Sequence, residues 1–343
     1  MEQDRLPVDS RLVVVLHNPV AGRRPSDRRI EQLVNALREK GFSLHVSTNL
    51  SQATDLANRE FEKGNLRCLV GAGGDGTASE LANRVQPGVP VCFFPTGTSN
   101  LVASYLGMKK RIPFVVSLIE TGATVCLDAG LANGRIFLAM VSCGFDAAAV
   151  EMAHRKRVAG HRQGRGGFSG FIIPICRLIN TYPFPEMTVE VSDGYEGGSS
   201  GEPSSSQRTI KGRWVFAFNL PKYGWGLPIA PQANGMDGLL DLCVYGGGGF
   251  WRGLWYTVTT QVGIHERVCD FVRIWGTRFR VTSNEPVPYQ IDGDPAGYLP
   301  LDIGLAPGRV RIVVPERTAE MLQKQRRQSE SLSRVKNGSL VCA

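Results

Sequence analysis

The sequence lacks several features that mark common protein classes. Its eight cysteines include no Cys-x-x-Cys pair, and most lie in apolar runs, so they are expected to be reduced residues of the core. The first ten residues lack the apolar segment of a signal peptide. No window approaches the roughly 18 uncharged apolar residues of a membrane span. A cytoplasmic protein, or one bound peripherally to a membrane, is therefore expected.

Two common nucleotide motifs are also missing. There is no Walker A pattern, and no G-x-G-x-x-G follows the first predicted strand, so the two sites that those motifs form are excluded. The 39 basic and 31 acidic residues give a net charge of +8. Such an excess suits a negatively charged partner, such as a nucleotide, a nucleic acid or an anionic membrane. Nucleic-acid binding is not predicted, because no recognition helix or aromatic sheet motif accompanies the basic residues.

The 343 residues predict two domains rather than one. Apolar runs at 11–17, 42–48, 66–70 and 91–94 alternate with helical stretches, which predicts an α/β domain with a mostly parallel, doubly wound sheet. A hairpin with an Asn133-Gly134 turn follows. Beyond it, short strands with Gly and Pro turns predict a β-sandwich-like or barrel-like domain.

The change of pattern places the domain boundary near Asp128. We expect an α/β nucleotide-binding domain at 10–128 and a β-rich substrate domain at 129–309. A segment at about 310–325 is expected to pack back on the first domain. The polar residues 193–212 predict a mobile loop, and residues 326–343 predict a disordered tail.

A glycine-rich loop stands out in LRCLVGAGGDGTASE, residues 66–80. Gly73, Gly74 and Gly76 can adopt positive φ and allow backbone amides to approach a ligand at a helix N-terminus, which favours phosphate. Asp75 does not suit a bare anion site unless a metal ion or a substrate hydroxyl binds there too. An ordinary Gly-Asp-Gly turn is the alternative.

Two more loops follow predicted strands of the same sheet. NPVAGRR at 18–24 and PTGTSN at 95–100 come at carboxyl ends of strands, where open α/β sheets bind ligands. A plain turn with solvated arginines remains the alternative for the first loop. If the sheet is parallel, the loops at 73–77 and 95–100 line one crevice.

These motifs form an ordered set with DGLLDL at 237–242 and QIDGDP at 290–295. The set resembles the diacylglycerol kinase catalytic-domain family, which includes sphingosine and ceramide kinases and soluble bacterial lipid kinases. The resemblance runs from about Leu12 to Val314 and includes GFDA at 144–147. It implies an ATP- and Mg²⁺-dependent lipid kinase of two domains, with its active site in a cleft.

The resemblance also assigns roles to residues. Asp294 matches the catalytic base, although the family usually has the longer Glu there, so Asp292 is a rival. Asp75 would orient a metal ion or the nucleophile. Asp241 matches a Mg²⁺ position of bacterial members, supported by backbone oxygens near Gly238 and Cys243. The nucleotide-binding positions are Asn18, Gly22, Thr48, Gly73, Gly74, Asp75, Gly76, Thr77, Gly97, Thr98 and Asn100.

The leading hypothesis is phosphorylation of a lipid hydroxyl, on diacylglycerol, a sphingoid base or a related amphiphile. A soluble-substrate kinase of the NAD kinase or phosphofructokinase type, and a non-catalytic lipid- or nucleotide-binding regulator, are the alternatives. A homodimer is left open.

Two segments suggest peripheral contact with a membrane. Residues 152–177 mix basic and apolar residues, and 250–256 read FWRGLWY. Basic residues and Trp both favour a membrane surface. The alternative is that Trp251 and Trp255 form a core-facing stripe of one helix and that the basic residues are solvated.

Overall fold

The computed structural model describes residues 5–18, 27–97, 100–158, 178, 180–196, 208–221 and 227–326. The chain divides into two compact units. Unit 1 comprises Met1–Ala129, Gly235–Gly238 and Ala306–Ala343, and unit 2 comprises Gly130–Asn234 and Leu239–Leu305. The division differs from the predicted domains because residues 235–238 belong to unit 1 and the chain returns to it at Ala306. The predicted disordered tail lies outside the described residues, apart from Arg326.

Unit 1 alternates strands and helices. Its elements are β1 (Leu12–His17), α1 (Asp27–Glu39), β2 (Ser43–Ser47), α2 (Leu50–Glu62), β3 (Leu66–Gly73), α3 (Asp75–Arg84), β4 (Val91–Pro95), α4 (Leu101–Tyr105) and α5 (Ile112–Thr121). The strands pair in parallel in the order β2-β1-β3-β4. Residues 316–326 are helical. The predicted parallel α/β arrangement is confirmed.

Local sequence explains these elements. In α1, Ile30, Leu33, Val34 and Leu37 are buried, and their spacing puts them on one helical face. The Asn49 side chain accepts a hydrogen bond from the Gln52 N–H at 3.1 Å and caps α2. The fully buried run of β3 is what a central parallel strand requires.

Unit 2 is built mainly of antiparallel strands. Its elements are β6 (Arg135–Phe137), β7 (Met140–Gly144), α6 (Phe145–Val158), β8 (Met187–Glu196), β9 (Arg208–Gly212), β10 (Trp214–Phe218), β11 (Leu240–Tyr245), α7 (Phe250–Val262), β12 (Phe271–Ser283), β13 (Pro288–Ile291) and β14 (Asp294–Tyr298). β5 (Thr124–Ala132) ends in this unit, and β15 (Leu301–Val313) begins in it. The strands pair in the order β14-β13-β7-β10-β11-β12-β15. In addition, β8 pairs with β12, and β9 pairs with β8. Buried apolar residues of these strands form one core.

The hairpin prediction is confirmed and several others are wrong. Asn133 and Gly134 have φ of 48° and 82°, as a type I′ turn requires. The predicted loop at 193–212 is wrong at both ends, because β8 continues to Glu196 and pairs there with β12, and β9 begins at Arg208 and pairs with β8. Helix α6 was not predicted, since its sequence is nearly uniform in polarity around the helix. Cys126 and Cys269 are exposed rather than in the core.

The alternative interpretation of 250–256, a core-facing stripe of one helix, is also wrong. The exposed fractions of Trp251 and Trp255 are 78% and 52%. Within the described ranges, no helix combines the length and the apolar character needed to cross a bilayer. Of the other proposed membrane segment, at 152–177, residues 159–177 lie outside the described part of the chain.

Candidate active site

The glycine-rich loop joins β3 to α3 in unit 1. Gly74 is the N-cap residue of α3 and Asp75 is its first residue, so the first amides of the helix have no partner within it. Asn18, directly after β1, donates from its backbone N–H to the Ala72 carbonyl at 3.2 Å. Its Nδ2 donates to Thr77 Oγ1 at 3.3 Å. These contacts hold the N-terminus of α3 at the carboxyl edge of the parallel sheet, where free backbone amides are suited to bind an anion.

The second loop, at 95–100, lies directly against the first. The backbone N–H groups of Thr96 and Gly97 donate to the Gly73 carbonyl at 2.8 and 3.3 Å. A Cβ added to Gly97 would lie 2.6 Å from the Gly74 Cα, so only glycine allows this contact. Neither Gly73, Gly74 nor Gly76 has positive φ. The predicted positive φ is therefore wrong. Gly74 instead allows the close approach of the second loop, and a Cβ at Gly73 would collide with the Thr77 side chain.

Asp75 links the two loops. Its Oδ1 accepts a hydrogen bond from the Val102 N–H at 3.1 Å, at the start of α4. Burial raises the pKa of the Asp75 carboxyl, and hydrogen bonds from the backbone of Leu101, Val102 and Asn100 oppose that rise. Asp75 therefore acts as the N-terminal cap of α4 as well as lining the candidate site.

Asn100 occupies an unusual position at the end of the second loop. Its backbone is left-handed, with φ of 50°, and its side chain donates from Nδ2 to the Gly97 carbonyl at 2.6 Å. Its Oδ1 is buried and accepts no hydrogen bond from any described residue. A buried acceptor without a partner is costly unless a ligand supplies the donor or a cation.

Lys110 is a residue that the sequence analysis missed. Its Nζ donates to the Gly97 carbonyl at 3.1 Å, so a positive charge lies beside the second loop. The basic run at 109–111, soon after PTGTSN, is the signal that could have indicated it. A lysine here would favour phosphate.

Most predicted nucleotide-binding positions of unit 1 come together at this edge of the sheet. Gly73, Gly74, Asp75 and Asn100 line a shallow pocket with Phe93. Thr48 is exposed directly after β2, whose neighbour in the sheet is β1. Gly22 and Thr98 lie outside the described residues.

In unit 2, Asp292 is fully engaged by the backbone. Its Oδ2 accepts from the Leu138 N–H at 2.8 Å, and its Oδ1 accepts from Ala139 and Met140 at 2.8 and 3.0 Å. These three hydrogen bonds hold both oxygens of the carboxylate against the backbone of residues 138–140. Asp292 therefore anchors its turn, and the rival role of catalytic base does not fit it.

Asp294 is placed by a polar network. It begins β14, is half-buried, and pairs with Ile291 across the turn. The Gly293 N–H donates to Gln290 Oε1 at 2.7 Å. The buried Gln290 donates from Nε2 to Ser142 Oγ at 2.8 Å. This network fixes the turn on which Asp294 stands.

The network continues to Asp146 in the GFDA segment. Ser142 donates to Asp146 Oδ2, and Gln290 Nε2 lies 3.3 Å from the same oxygen. Sequence analysis assigned no role to Ser142, Asp146 or Gln290. The GFDA and QIDGDP motifs contain or adjoin all three, which is the signal that could have connected them.

Asp241, the predicted metal ligand, is hydrogen-bonded to an arginine. Arg273 donates to Asp241 Oδ1 from Nε at 2.8 Å and from Nη2 at 2.5 Å, and Trp275 Nε1 donates to it at 2.8 Å. Burial raises the pKa of Asp241, and Arg273 lowers it. Because a guanidinium already neutralises this carboxylate, the arrangement does not suit a Mg²⁺ ion.

The two other predicted positions, near Gly238 and Cys243, were expected to contribute backbone oxygens. Cys243 lies in the middle of β11, which is paired with β10 on one side and with β12 on the other. Gly238 belongs to unit 1, where its N–H donates to Asp128 Oδ2 at 2.8 Å. In the described part of the chain, no three His, Cys, Asp or Glu side chains are grouped as a metal site. A Mg²⁺ ion carried by phosphates needs only one or two protein oxygens, which Asp75 and the unpaired Oδ1 of Asn100 offer.

Comparison with known proteins finds two families that match successive parts of the chain. Residues 12–132 match the family described as "Diacylglycerol kinase catalytic domain". Residues 139–314 match "YegS C-terminal NAD kinase beta sandwich-like domain". The second match supports the predicted β-sandwich-like character of the C-terminal domain.

Individual relatives cover most of the chain. A protein named "Diacylglycerol kinase" from Bacillus subtilis is 22% identical over 320 residues, covering 90% of this chain and 98% of that protein. A "Probable lipid kinase YegS-like" from Klebsiella pneumoniae is 24% identical over 301 residues, covering 86% and 94%. The crystal structure of a putative diacylglycerol kinase from Bacillus anthracis has a TM-score of 0.66 at 20% identity, covering 90% of this chain and 96% of that one. That likeness shows the fold.

Proposed function

The chain belongs to the diacylglycerol kinase catalytic-domain family, and on that premise we propose that it transfers the γ-phosphate of ATP to a lipid hydroxyl. Diacylglycerol, a sphingoid base or a related amphiphile would be the acceptor. The observation that carries the proposal is the junction of the two glycine loops, where Asp75 and a helix N-terminus lie together.

The residues of unit 1 would bind the phosphates. The amides at the start of α3 supply hydrogen-bond donors and the positive end of a helix dipole. Lys110 adds a full positive charge beside Gly97. Phosphoryl transfer is catalysed mainly by positioning and by neutralising charge on the phosphate oxygens, and these groups supply both.

A Mg²⁺ ion, when bound with the nucleotide, would neutralise further charge on its phosphates. Asp75 and Asn100 would hold it through side-chain oxygens. Asp75 would meanwhile keep the two loops together through its hydrogen bond to the Val102 N–H.

Asp294 would act as the base. Its carboxylate would take the proton of the lipid hydroxyl while the hydroxyl oxygen forms a bond to the γ-phosphorus. The bond from that phosphorus to the bridging oxygen breaks, and ADP leaves with the electron pair. Asp292 and Gln290 would position the turn rather than touch the acceptor.

A labelled-ATP assay across lipids in detergent micelles, NAD and sugar phosphates tests the proposal, with products identified by mass spectrometry. We expect label in a lipid. Asp294→Asn should reduce turnover by about 10²-fold or more, the usual scale of general base catalysis. Asp294→Glu, which restores the residue usual in the family, should stay active.

Asp302→Asn is the matched control, because Asp302 is an exposed acid of the same unit that pairs with Arg280. It should leave turnover unchanged. Label found only in NAD or a sugar phosphate would establish the soluble-substrate alternative. No transfer to any acceptor, with ATP still bound, would favour the non-catalytic regulator.

A further inference from the structure

Helix α7 packs with its apolar side facing outward. Its buried residues are Gly253, Tyr256, Thr259 and Thr260. The exposed fractions of its larger apolar residues are 78% for Trp251, 45% for Leu254, 52% for Trp255, 48% for Val258 and 66% for Val262. We call these five residues the apolar arc. This is the reverse of an ordinary surface helix, in which the apolar side chains face the core.

The apolar arc is continuous and points away from unit 2. At about 100° per residue, its members fall within roughly 100° of the helix circumference. Their mean direction lies roughly 150° from that of the buried residues. The exposed apolar side chains therefore form one stripe rather than scattered single contacts.

Hydrogen bonds fix the helix in this orientation. The Tyr256 hydroxyl donates to Asp270 Oδ2 at 2.6 Å and accepts from the Gly247 N–H at 2.9 Å. The hydroxyls of Tyr245 and Thr260 lie 3.2 Å apart and are hydrogen-bonded. Rolling the helix to bury Trp251 would break these buried contacts. Exposing these apolar side chains to water costs unit 2 free energy, which indicates that a partner covers the surface.

A second copy of the chain is a poor match for this stripe. The helix has 13 residues, so it is about 20 Å long and about 10 Å wide. It offers on the order of 200 Å², against about 800 Å² per partner in a standard stable interface. A bilayer sets no such minimum, because each side chain gains free energy by its own insertion.

The chemistry of the helix favours a bilayer surface. Trp is enriched at the boundary between headgroups and acyl chains, and two of the five members of the apolar arc are Trp. The helix has one arginine and no acidic residue, and the chain carries a net charge of +8. Anionic headgroups attract such a protein.

We propose that α7 docks the protein on an anionic lipid bilayer by inserting the apolar arc at the headgroup boundary. The choice of a bilayer rests in part on the proposed function, because a lipid acceptor has to be drawn from a membrane. The docking itself requires neither ATP nor transfer, so the two can fail separately.

The test uses the full chain and vesicles of phosphatidylcholine with and without phosphatidylglycerol, without nucleotide. Binding is measured by co-sedimentation, and insertion by quenching of Trp fluorescence with brominated lipids. We expect quenching, and stronger binding to the anionic vesicles. The double variant Trp251→Ser, Trp255→Ser should weaken the partition coefficient by at least about tenfold, because two large apolar side chains no longer insert.

The matched control is Val8→Ser with Met321→Ser, since these side chains are 81% and 47% exposed elsewhere in the chain. It should bind like the unmodified protein. Circular dichroism and the urea midpoint should show that both variants are folded. Phosphorylation of lipid in detergent micelles should survive the Trp substitutions.

Equal vesicle binding by the Trp variant and the unmodified protein would overturn the proposal. So would a dimer in light scattering that the Trp substitutions dissociate, with no vesicle binding by either protein. Vesicle binding without transfer to any lipid would refute the proposed function and leave the docking intact.

Discussion

Replacing Asp75 with Asn separates the two roles that the structure gives this residue. The side chain keeps its size and one acceptor oxygen but loses its charge. In the native protein, Asp75 Oδ1 accepts a hydrogen bond from the Val102 N–H at 3.1 Å. The backbone N–H groups of Asn100 and Leu101 also donate to the carboxyl. The substitution therefore weakens a helix cap and removes a charged group from the candidate site.

The magnitudes of the two effects differ. Complete loss of a good N-terminal cap costs about 1 kcal/mol of stability, and Asn, which keeps one acceptor oxygen, should lose no more than that. If capping is the only role of Asp75, displacement of the loops should reduce kcat/KM by about tenfold or less. If Asp75 also orients a metal ion or the nucleophile, kcat should fall by about 10²-fold or more. We expect the larger fall.

The assay compares kcat, the KM for ATP and the urea unfolding free energy of Asp75→Asn with those of the native protein. Asp55→Asn is the matched control, because Asp55 is exposed on α2 and the same charge is removed. It should change none of the three. Native turnover in a folded Asp75→Asn protein would refute both the metal and the nucleophile role.

Stability should also respond to pH in a definite direction. Burial raises the pKa of Asp75 above its ordinary value of 3.8 in the folded protein, so the folded state binds this proton more tightly than the unfolded state. Ionisation then opposes folding, and stability from this group declines as pH rises through the raised pKa. The unfolding free energy of the native protein, relative to that of Asp75→Asn, should therefore fall as the pH rises above about 4.

Three further predictions concern the glycine contact, the buried ion pair and the metal position. Gly97→Ala would place a Cβ 2.6 Å from the Gly74 Cα. We therefore expect the unfolding free energy to fall by about 1–3 kcal/mol and the KM for ATP to rise. An unchanged KM would show that the loop contact does not shape the nucleotide site. Arg273→Met removes the positive charge beside the buried Asp241 and leaves it the neutral indole N–H of Trp275, which should cost about 3–5 kcal/mol in urea unfolding. EDTA should not shift the melting temperature of the native protein without nucleotide. A rise in melting temperature with Mg²⁺ alone that Asp241→Asn abolishes and Asp75→Asn does not would restore the predicted metal position at Asp241.

The sequence was sufficient for features set by local patterns. Buried apolar runs such as β3 and the regular alternation with helices determined the parallel α/β unit, because both periodicities are local. The Asn133-Gly134 turn followed from the positive φ that its type requires. The ordered motifs also determined the family, since their order and spacing can be read without coordinates.

Tertiary structure decided what each polar or aromatic side chain does. Asp292 and Asp294 are two residues apart in one motif, yet only the fold shows that three backbone amides engage Asp292. Trp251 and Trp255 have the spacing of a core stripe, and only the packing of α7 turns them outward. Sequence spacing fixes which residues share a face, but hydrogen bonds and packing from distant segments decide where that face points. The loop glycines illustrate the same limit, because their close contact joins segments that follow two different strands.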